Sequence, residues 1–443
     1  MRFLMASKKK KREEKEQNGS VGAGPSSLND ATARLANLFT QLSTTDAETP
    51  YNVEKATHRF WNTQPVVSVD DQEEKDKSCG SPIEQQTVED IKMTPYPLIP
   101  QFEWTELNLQ DPSQMDEVYN LLKENYVEDV EATFRFSYSR DFLQWALLPP
   151  GWRQSWHLGV RVKASGKLVG FITAIPATVC VWKEPIKMVE INFLCIHKKL
   201  RLKRLAPVLI QEITRRVNLT GIFQAIYTAG VVIPTPVTHS QYYHRSLNPK
   251  KLIEIGFSRL APRTTLKKTI KLYALKPEPA TPGIRLMESG DIPQAYKLLK
   301  SYLQKFQLRI DMSEAEFSHW LTPREEVLYT YVVEDPKTHE ITDLTSFYAL
   351  PSSVIRNPKH NSLKAAYMFF HVPLETDAIS LMRDALILAR SNKFDVFNAL
   401  DLAENNVFFE DLHFLVGDGS LHYYLYNWKC PRVDKRDNAV VLV

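Results

Sequence analysis

Between Glu190 and Ile210 the sequence reads EINFLCIHKKLRLKRLAPVLI. An apolar run stops, five Lys or Arg fall among the eight positions from His197 to Arg204, and an apolar run resumes. Leu205, Leu209, Ile213 and Val217 then recur at a helical period, which predicts a helix with one apolar face. A loop that opens a helix offers unpaired N–H groups and the positive end of the helix dipole. Arg201, Lys203 and Arg204 added there make a site suited to phosphate groups. A solvated cationic loop and a nuclear-targeting or nucleic-acid patch are the competing readings. The apolar strand and helix on either side argue against a free targeting peptide.

The chain ends NAVVLV, with no charged side chain after Asp437. Such a terminus reads either as a strand inserted into the core or as an ordinary edge strand with its carboxylate in solvent. Cys79, Cys180, Cys195 and Cys430 are scattered, with neither metal spacing nor a disulfide framework, so a reducing compartment is expected. No metal site is expected either.

The elements that must hold these groups follow from length and periodicity. A chain of 443 residues with 43% hydrophobic and 11% aromatic content suits more than one ordinary domain and a large core. Net charge is only +3, so any cationic function is local. No apolar run reaches the ~18 residues that a spanning helix needs. Residues 1–92 read as a disordered tail, with a Lys-rich tract at Lys8–Arg12, an acidic run DDQEEKDKS and one amphipathic stretch through Leu28, Leu35, Leu38, Phe39 and Leu42. Within that tail HRFWNTQP, at 58–65, reads as an arm that docks onto the body.

From about residue 95 the pattern is α/β, with strands over Trp156–Val162, Leu168–Val181, Val189–Ile196 and Ile222–Tyr227 and a helix over Gln114–Asn125. An internal duplication is visible. KMVEINFLCI, basic loop, helix and IFQAIYTAG form one unit; KAAYMFFHV, the loop PLETDA, the helix ISLMRDALILARSNK and FDVFNALDL form the other. Both read strand, loop, helix, strand, as a parallel crossover requires. The boundaries expected are a first half over 93–275 and a second over 276–443. PLETDA carries no Lys or Arg, so only the first half is built for an anion.

The segment Arg201-Leu202-Lys203-Arg204-Leu205-Ala206 resembles the R-x-x-G-x-A loop by which GNAT acyltransferases hold coenzyme A, with Arg204 at the middle Gly. EINFLCIHK, FWNTQP, NYVEDVEATFRFSYS, WALLPPGW, LVGFITAIPA, YTAGVV, YYHRSLNP, SLKAAY, FDVFNALDL and YLYNWKCP together are similar to the glycylpeptide N-tetradecanoyltransferases, from residue 58 to the end. That resemblance implies mixed sheets in two fused GNAT-like halves with pseudo-twofold symmetry. It also implies transfer of myristate from myristoyl-CoA to the N-terminal glycine of proteins that have lost Met.

By the same resemblance, Phe193 and Leu194 present the oxyanion-hole N–H groups, from a strand that bulges, with Cys195 and Ile196 completing the wall. Arg201, Leu202, Lys203, Arg204, Leu205, Ala206 and Pro207 hold the CoA phosphates, and Arg59, Phe60 and Trp61 close over CoA. The α-carboxylate of Val443 is the base, with Asn192 and Thr228 beside the amine, and Gly230 where a backbone approaches closely. Glu128, Asp129, Glu131 and Asp418 with Gly419 receive basic substrate residues. Tyr138, Tyr242, His244, Ser352, Tyr367 and Asn398 line the peptide groove. An acyl-Cys195 intermediate is disfavoured, because the thiol has no evident base beside it.

Departures from the family pattern are His413 for Lys and Leu415 for Gly in HFLVGDG, Leu202 for Ser, Val130 in the acidic run and Tyr243 for Trp. If the Gly at 415 served a positive φ, a leucine there would strain the turn. The expectation is a cytoplasmic, monomeric enzyme with no permanently bound cofactor and no specific nucleic acid. Its Lys8–Arg12 tract would aid ribosome or membrane-surface association. The alternatives are a non-catalytic acyl-CoA or lipidated-peptide binding paralogue, and an RNA or ribosome binder.

Overall fold

The computed structural model describes residues 59–68, 80–127, 133–201, 203–233, 235–355 and 357–443. The Lys-rich tract, the 28–42 amphipathic stretch, the acidic run after Val69, Glu128, Asp129, Glu131 and Leu202 lie outside them.

In the first half, β1 (Phe102–Glu106) leads to α1 (Pro112–Asn125), β2 (Phe134–Phe136) and α2 (Arg140–Leu147). Then come β3 (His157–Val162), β4 (Leu168–Val181), β5 (Glu184–Ile196), α3 (Leu205–Asn218), β6 (Ala225–Ala229) and β7 (Thr238–Ser246). Two short helices follow, α4 (Pro249–Glu254) and α5 (Leu266–Leu272). The second half runs β8 (Ile284–Leu286), α6 (Ile292–Leu303), β9 (Leu308–Ile310), α7 (Glu314–Leu321), β10 (Leu328–Glu334) and β11 (Ile341–Ala349). It closes with β12 (Ser352–Val354), β13 (Ser362–Leu363), β14 (Ala365–Val372), α8 (Ala378–Ser391), β15 (Val396–Leu400), α9 (Asn406–Phe409) and β16 (Leu415–Tyr426).

Local chemistry fixes the helix starts. Asp111 caps α1 by accepting from Ser113 N–H, with Pro112 at the first helical position. Along α3, Leu205, Leu209, Ile213 and Val217 are all buried and pack on Val160, Ile172 and Val189 of the sheet. Each such burial contributes roughly 1.5–3 kcal/mol. The polar face of α3 is tied down too, since buried Glu212 accepts from Arg215, Arg216 and the Tyr96 N–H.

The two expected crossovers exist: β5 pairs parallel with β6 across α3, and β14 pairs parallel with β15 across α8. The main sheet runs β1-β3-β4-β5-β6-β16-β7-β15-β14-β11-β10-β8, with β9 on β4. Each half therefore ends inside the other. β7, last of the first half, pairs with β15, while β16, last of the second, pairs with β6. One core also draws on both halves, joining Leu121, Phe142 and Phe171 to Leu299, Phe317 and Phe369.

Element bounds differ from the sequence reading at several places: β5 begins at Glu184 and not Val189, and Trp156 precedes β3. The strand expected from Ile222 starts at Ala225, because the residues before it finish the turn out of α3. Residues 438–443 are not a strand. They make one bridge, Asn438 to Leu308, and a hydrogen bond from Ala439 N–H to Leu308 O at 2.8 Å. Beyond it Val440 is fully buried, so the apolar terminus is held by packing and not by a ladder.

Candidate functional site

Strands β4 and β5 are in register at Thr173–Asn192 and again at Phe171–Cys195. Two steps on β4 thus face three on β5, and the extra residue is a bulge at Phe193–Leu194. Phe193 takes φ 53°, a conformation costly for a bulky side chain. Its ring repays this in packing: it is buried between Tyr126 and Tyr138, with centroids at 5.7 and 5.2 Å. Thr173 Oγ1 donates to Asn192 O at 3.2 Å and steadies the start of the bulge.

The Asn192 side chain links two features. Its Oδ1 accepts from the Phe193 N–H at 2.8 Å, and its Nδ2 donates to the Val443 main-chain oxygen. The terminus and the bulge are therefore neighbours, 251 residues apart in sequence. Glu190 joins them. Asn192 Nδ2 lies 3.3 Å from Glu190 Oε1, and the Val443 main chain lies close to the same carboxyl. Burial pushes the Glu190 carboxyl up to about 8.

Beside the bulge opens a cavity of about 340 Å³, lined chiefly by apolar side chains of β5, α3 and β6, with Thr228 and Leu194 at its wall. Trp61 lines one side and stacks on Tyr227 at 5.7 Å, with an interplanar angle of 10°. The arm is anchored by Asn427 N–H to Pro65 O at 2.7 Å and by Tyr426 OH to Gln64 Oε1 at 3.0 Å. The docking arm read in HRFWNTQP is therefore present from Arg59 onward, with Phe60 packed edge-on to Trp61. Gly230 also lines the cavity, yet a Cβ there would meet Ser420 O only at 3.8 Å. The close backbone approach expected at Gly230 is thus not made within the chain.

The basic loop leaves β5 as a single 3-10 turn, Lys198–Leu200. Asn125 at the end of α1 braces it: its Oδ1 accepts from Lys198 N–H, and its main-chain oxygen from the Arg201 guanidinium. Arg204 takes φ 58° at the start of α3 and gives that helix no side-chain cap. The position where the GNAT loop carries Gly is left-handed here, a conformation a glycine would adopt at less cost than arginine. Arg201, Lys203 and Arg204 are exposed, Leu205 is buried, and Ala206 and Pro207 are half-buried.

The second half answers the same geometry with its own carboxylate. In register, Asp343 precedes the Leu344–Val372 pair as Val169 precedes the Gly170–Ile196 pair. Fully buried Asp343 accepts from the N–H groups of Leu374, Glu375 and Thr376 at 2.8–3.0 Å, and from the Thr342 and Thr376 hydroxyls. Asp377 caps α8 through the Ser380 N–H. The loop PLETDA thus meets an internal anion where the first loop turns cations outward. Asp343→Leu strands at least three donors, and a loss of about 3 kcal/mol or more in denaturant-measured stability is expected.

A second cleft is walled by aromatic residues. His244 lies between Asn398 and Leu415 in register, and its Nδ1 is 2.6 Å from Asn398 Oδ1. Tyr367 pairs with Asn398 along β14–β15, meets Tyr242 edge-on at 6.1 Å and stacks on Tyr348 at 5.5 Å. Tyr138 joins this group through Phe136, which lies 6.0 Å from Tyr138 and 6.4 Å from Tyr367, and Ser352 on β12 pairs with that same Phe136 of β2. Burial lowers the His244 imidazole, with the Asn398 bond and nearby Asp418 opposing it, and burial lifts the Tyr242 hydroxyl to about 12. Gly417 matters for space: a Cβ there would fall 2.1 Å from His244 Nε2. A Cβ at Gly419 would press on Tyr242 at 3.3 Å. In HFLVGDG the positive φ falls at His413, 59°, and not at Leu415, which is an exposed strand residue. The strain expected of Leu415 is absent. Tyr243, at the Trp position, stacks on Phe409 at 4.2 Å.

Burial pushes the Cys195 thiol up to about 12, the opposite of an activated nucleophile. Among the described residues no three His, Cys, Asp or Glu side chains group as a metal site requires, and no helix is long and apolar enough to cross a membrane. Glu190, Tyr348 and Asp343 were not singled out from sequence. Glu190 carried a signal, an acidic residue inside an otherwise apolar strand, whereas the role of Asp343 depends on pairing with a distant loop.

Residues 82–240 match the family described as myristoyl-CoA:protein N-myristoyltransferase, N-terminal domain, and residues 254–441 match its C-terminal domain. The chain is 54% identical over 377 residues to glycylpeptide N-tetradecanoyltransferase 1 of Arabidopsis thaliana, covering 85% of this chain and 87% of that one. It is 53% identical over 384 residues to the Drosophila melanogaster glycylpeptide N-tetradecanoyltransferase, covering 87% and 80%. A Saccharomyces cerevisiae N-myristoyltransferase structure with bound myristoyl-CoA superposes with a TM-score of 0.84 at 39% identity, over 94% of this chain and 100% of that one.

Proposed function

The chain belongs to the myristoyl-CoA:protein N-myristoyltransferase family, and we propose that it transfers the acyl group by direct attack of a glycine amine on the thioester, with the Val443 carboxylate as base. It is an acyltransferase, a glycylpeptide N-tetradecanoyltransferase, with myristoyl-CoA as acyl donor and N-terminal glycine peptides as acceptors.

The observation that carries the mechanism is the placement of Asn192 between the bulge N–H and the Val443 oxygen. An α-amino group has pKa near ~8 and must lose a proton before it attacks. A carboxylate held in a half-buried terminus is stabilised by an incoming ammonium, so the substrate brings its own counter-ion. One proton passes from the ammonium to Val443. The neutral nitrogen bonds to the thioester carbon, and the oxygen that gains charge meets the N–H groups of Phe193 and Leu194. A developing oxyanion is a stronger acceptor than the Asn192 amide and displaces its Oδ1 from the Phe193 N–H. The C–S bond then breaks, and the second amine proton leaves with the CoA thiolate. Thr228 and Asn192 orient the amine.

The acyl chain fits the apolar cavity, while Arg201, Lys203, Arg204, Leu205, Ala206, Pro207 and Leu202 cradle the phosphates at the uncapped start of α3. Arg59, Phe60 and Trp61 fold over the cofactor end. The aromatic cleft with His244, Asn398 and Asp418 takes the peptide, and Glu128, Asp129 and Glu131 its basic residues. The half 93–275 contributes the donor site, and the half 276–443 contributes Ser352, Tyr367, Asn398 and Asp418 to a groove that Tyr138, Tyr242 and His244 of the first half complete. Lys8–Arg12 gives the protein its contact with a ribosome or an anionic membrane surface, and the enzyme works as a cytoplasmic monomer.

Incubation with myristoyl-CoA and a Gly-initiated peptide carrying a downstream Lys is expected to give a peptide heavier by one myristoyl group in mass spectrometry. Tight myristoyl-CoA binding with no acyl-peptide would instead support the binding paralogue. Trp61→Ala removes the stack on Tyr227, and myristoyl-CoA affinity measured by calorimetry is expected to fall about tenfold, with peptide KM little changed.

A further inference from the structure

We propose that Glu190 is a positioning residue that works uncharged, holding Val443 in place so that the site's one negative charge rests on the terminal carboxylate. Its Oε1 accepts from Asn192 Nδ2, the same nitrogen that donates to the Val443 oxygen, and the Val443 main chain lies close to the carboxyl. Glu190 thus steadies the amide that holds the last residue. This inference rests on the reading of Val443 as base and goes beyond it.

The surroundings decide the charge. Glu190 is 6% exposed, and its register partners are Ile175 on β4 and Ile226 on β6, both apolar. On β11 the buried Tyr348 is close enough to feel its charge and is itself held un-ionised by burial. The remaining titratable neighbour is the Val443 carboxyl. Two carboxylates sharing one amide repel one another, so one of them keeps a proton more readily than it would alone. Burial assigns that proton to Glu190, whose carboxyl is raised to about 8. A neutral carboxyl still accepts hydrogen bonds through its carbonyl oxygen, so the geometry is kept without a second charge. A charged Glu190 would compete with Val443 for the glycine ammonium and draw it off line.

The sign of the pH dependence follows. Glu190 binds its proton more tightly folded than unfolded, so its contribution is full below the unfolded pKa of 4.5 and is lost as pH rises through about 8.

The test compares Glu190→Gln and Glu190→Ala with the parent in steady-state kinetics and thermal melts from pH 5 to 9. Glutamine keeps an acceptor and no charge, and kcat is expected to fall only about threefold. Alanine releases the terminus, and kcat is expected to fall about a hundredfold with myristoyl-CoA affinity nearly kept. In Glu190→Gln the loss of Tm between pH 5 and 8 should shrink. If Glu190→Gln is as inactive as Glu190→Ala, the charge is needed and the proposal is wrong. If both variants turn over like the parent, Glu190 positions nothing and the proposal is equally wrong. The base reading fails separately, by unchanged turnover after removal of Val443.

Discussion

Deletion of Leu442 and Val443 is expected to lower kcat by about 10³-fold while myristoyl-CoA affinity stays within about threefold. Removal of the terminus takes away the proposed base and the partner of Asn192 Nδ2. The donor site is built elsewhere, on the bulge, the basic loop and the apolar cavity, and none of these uses the last two residues as a wall. Loss of a base affects the transition state and leaves ground-state binding of the thioester almost intact. Stopped-flow or single-turnover acyl transfer, set beside calorimetric binding of myristoyl-CoA, reads the two quantities apart. A parallel fall in both would mean that the terminus supports the fold and not the chemistry.

Asn192→Ala is expected to cost about 10²–10³ in kcat, with a smaller change in peptide KM. The side chain satisfies the Phe193 N–H, holds Val443 and reaches Glu190. Its loss relaxes a bulge that keeps Phe193 at φ 53° and frees the terminus at once. Because Asn192 and Val443 act on one another, the double variant should be little worse than either alone. Multiplicative losses would show that the two residues act independently, against the linkage drawn here. Melting temperature checks that the single variant remains folded.

Periodicity made the local elements legible. Leu205, Leu209, Ile213 and Val217 marked α3, and the alternation of strand and helix marked both parallel crossovers. The bulge at Phe193 and the docking arm at Trp61 followed from the family resemblance and from aromatic residues in a polar tail. What stayed hidden was non-local. Placement of β16 between β6 and β7 is an antiparallel pairing between distant segments, and no local pattern encodes it. The left-handed Arg204 is signalled only by its place at the Gly of the GNAT loop, because an arginine by itself carries no mark of a positive φ. Asp343 looked like one more strand polar residue until the PLETDA loop closed on it. That pairing explains the absence of cations from the second loop: its N–H groups already have an anion. Glu190 lay in plain view within EINFLC, yet its meaning depends on the far end of the chain.

Conversion of the Val443 carboxylate to the primary amide, by ligation of a synthetic C-terminal segment, leaves every side chain and the packing of the terminus in place. Single-turnover transfer from bound myristoyl-CoA to a Gly-initiated peptide then isolates the charge. The account predicts a chemical step slower by about 10² or more, recovered in part as pH rises toward the pKa of the amine. A rate equal to that of the free acid at neutral pH would contradict it.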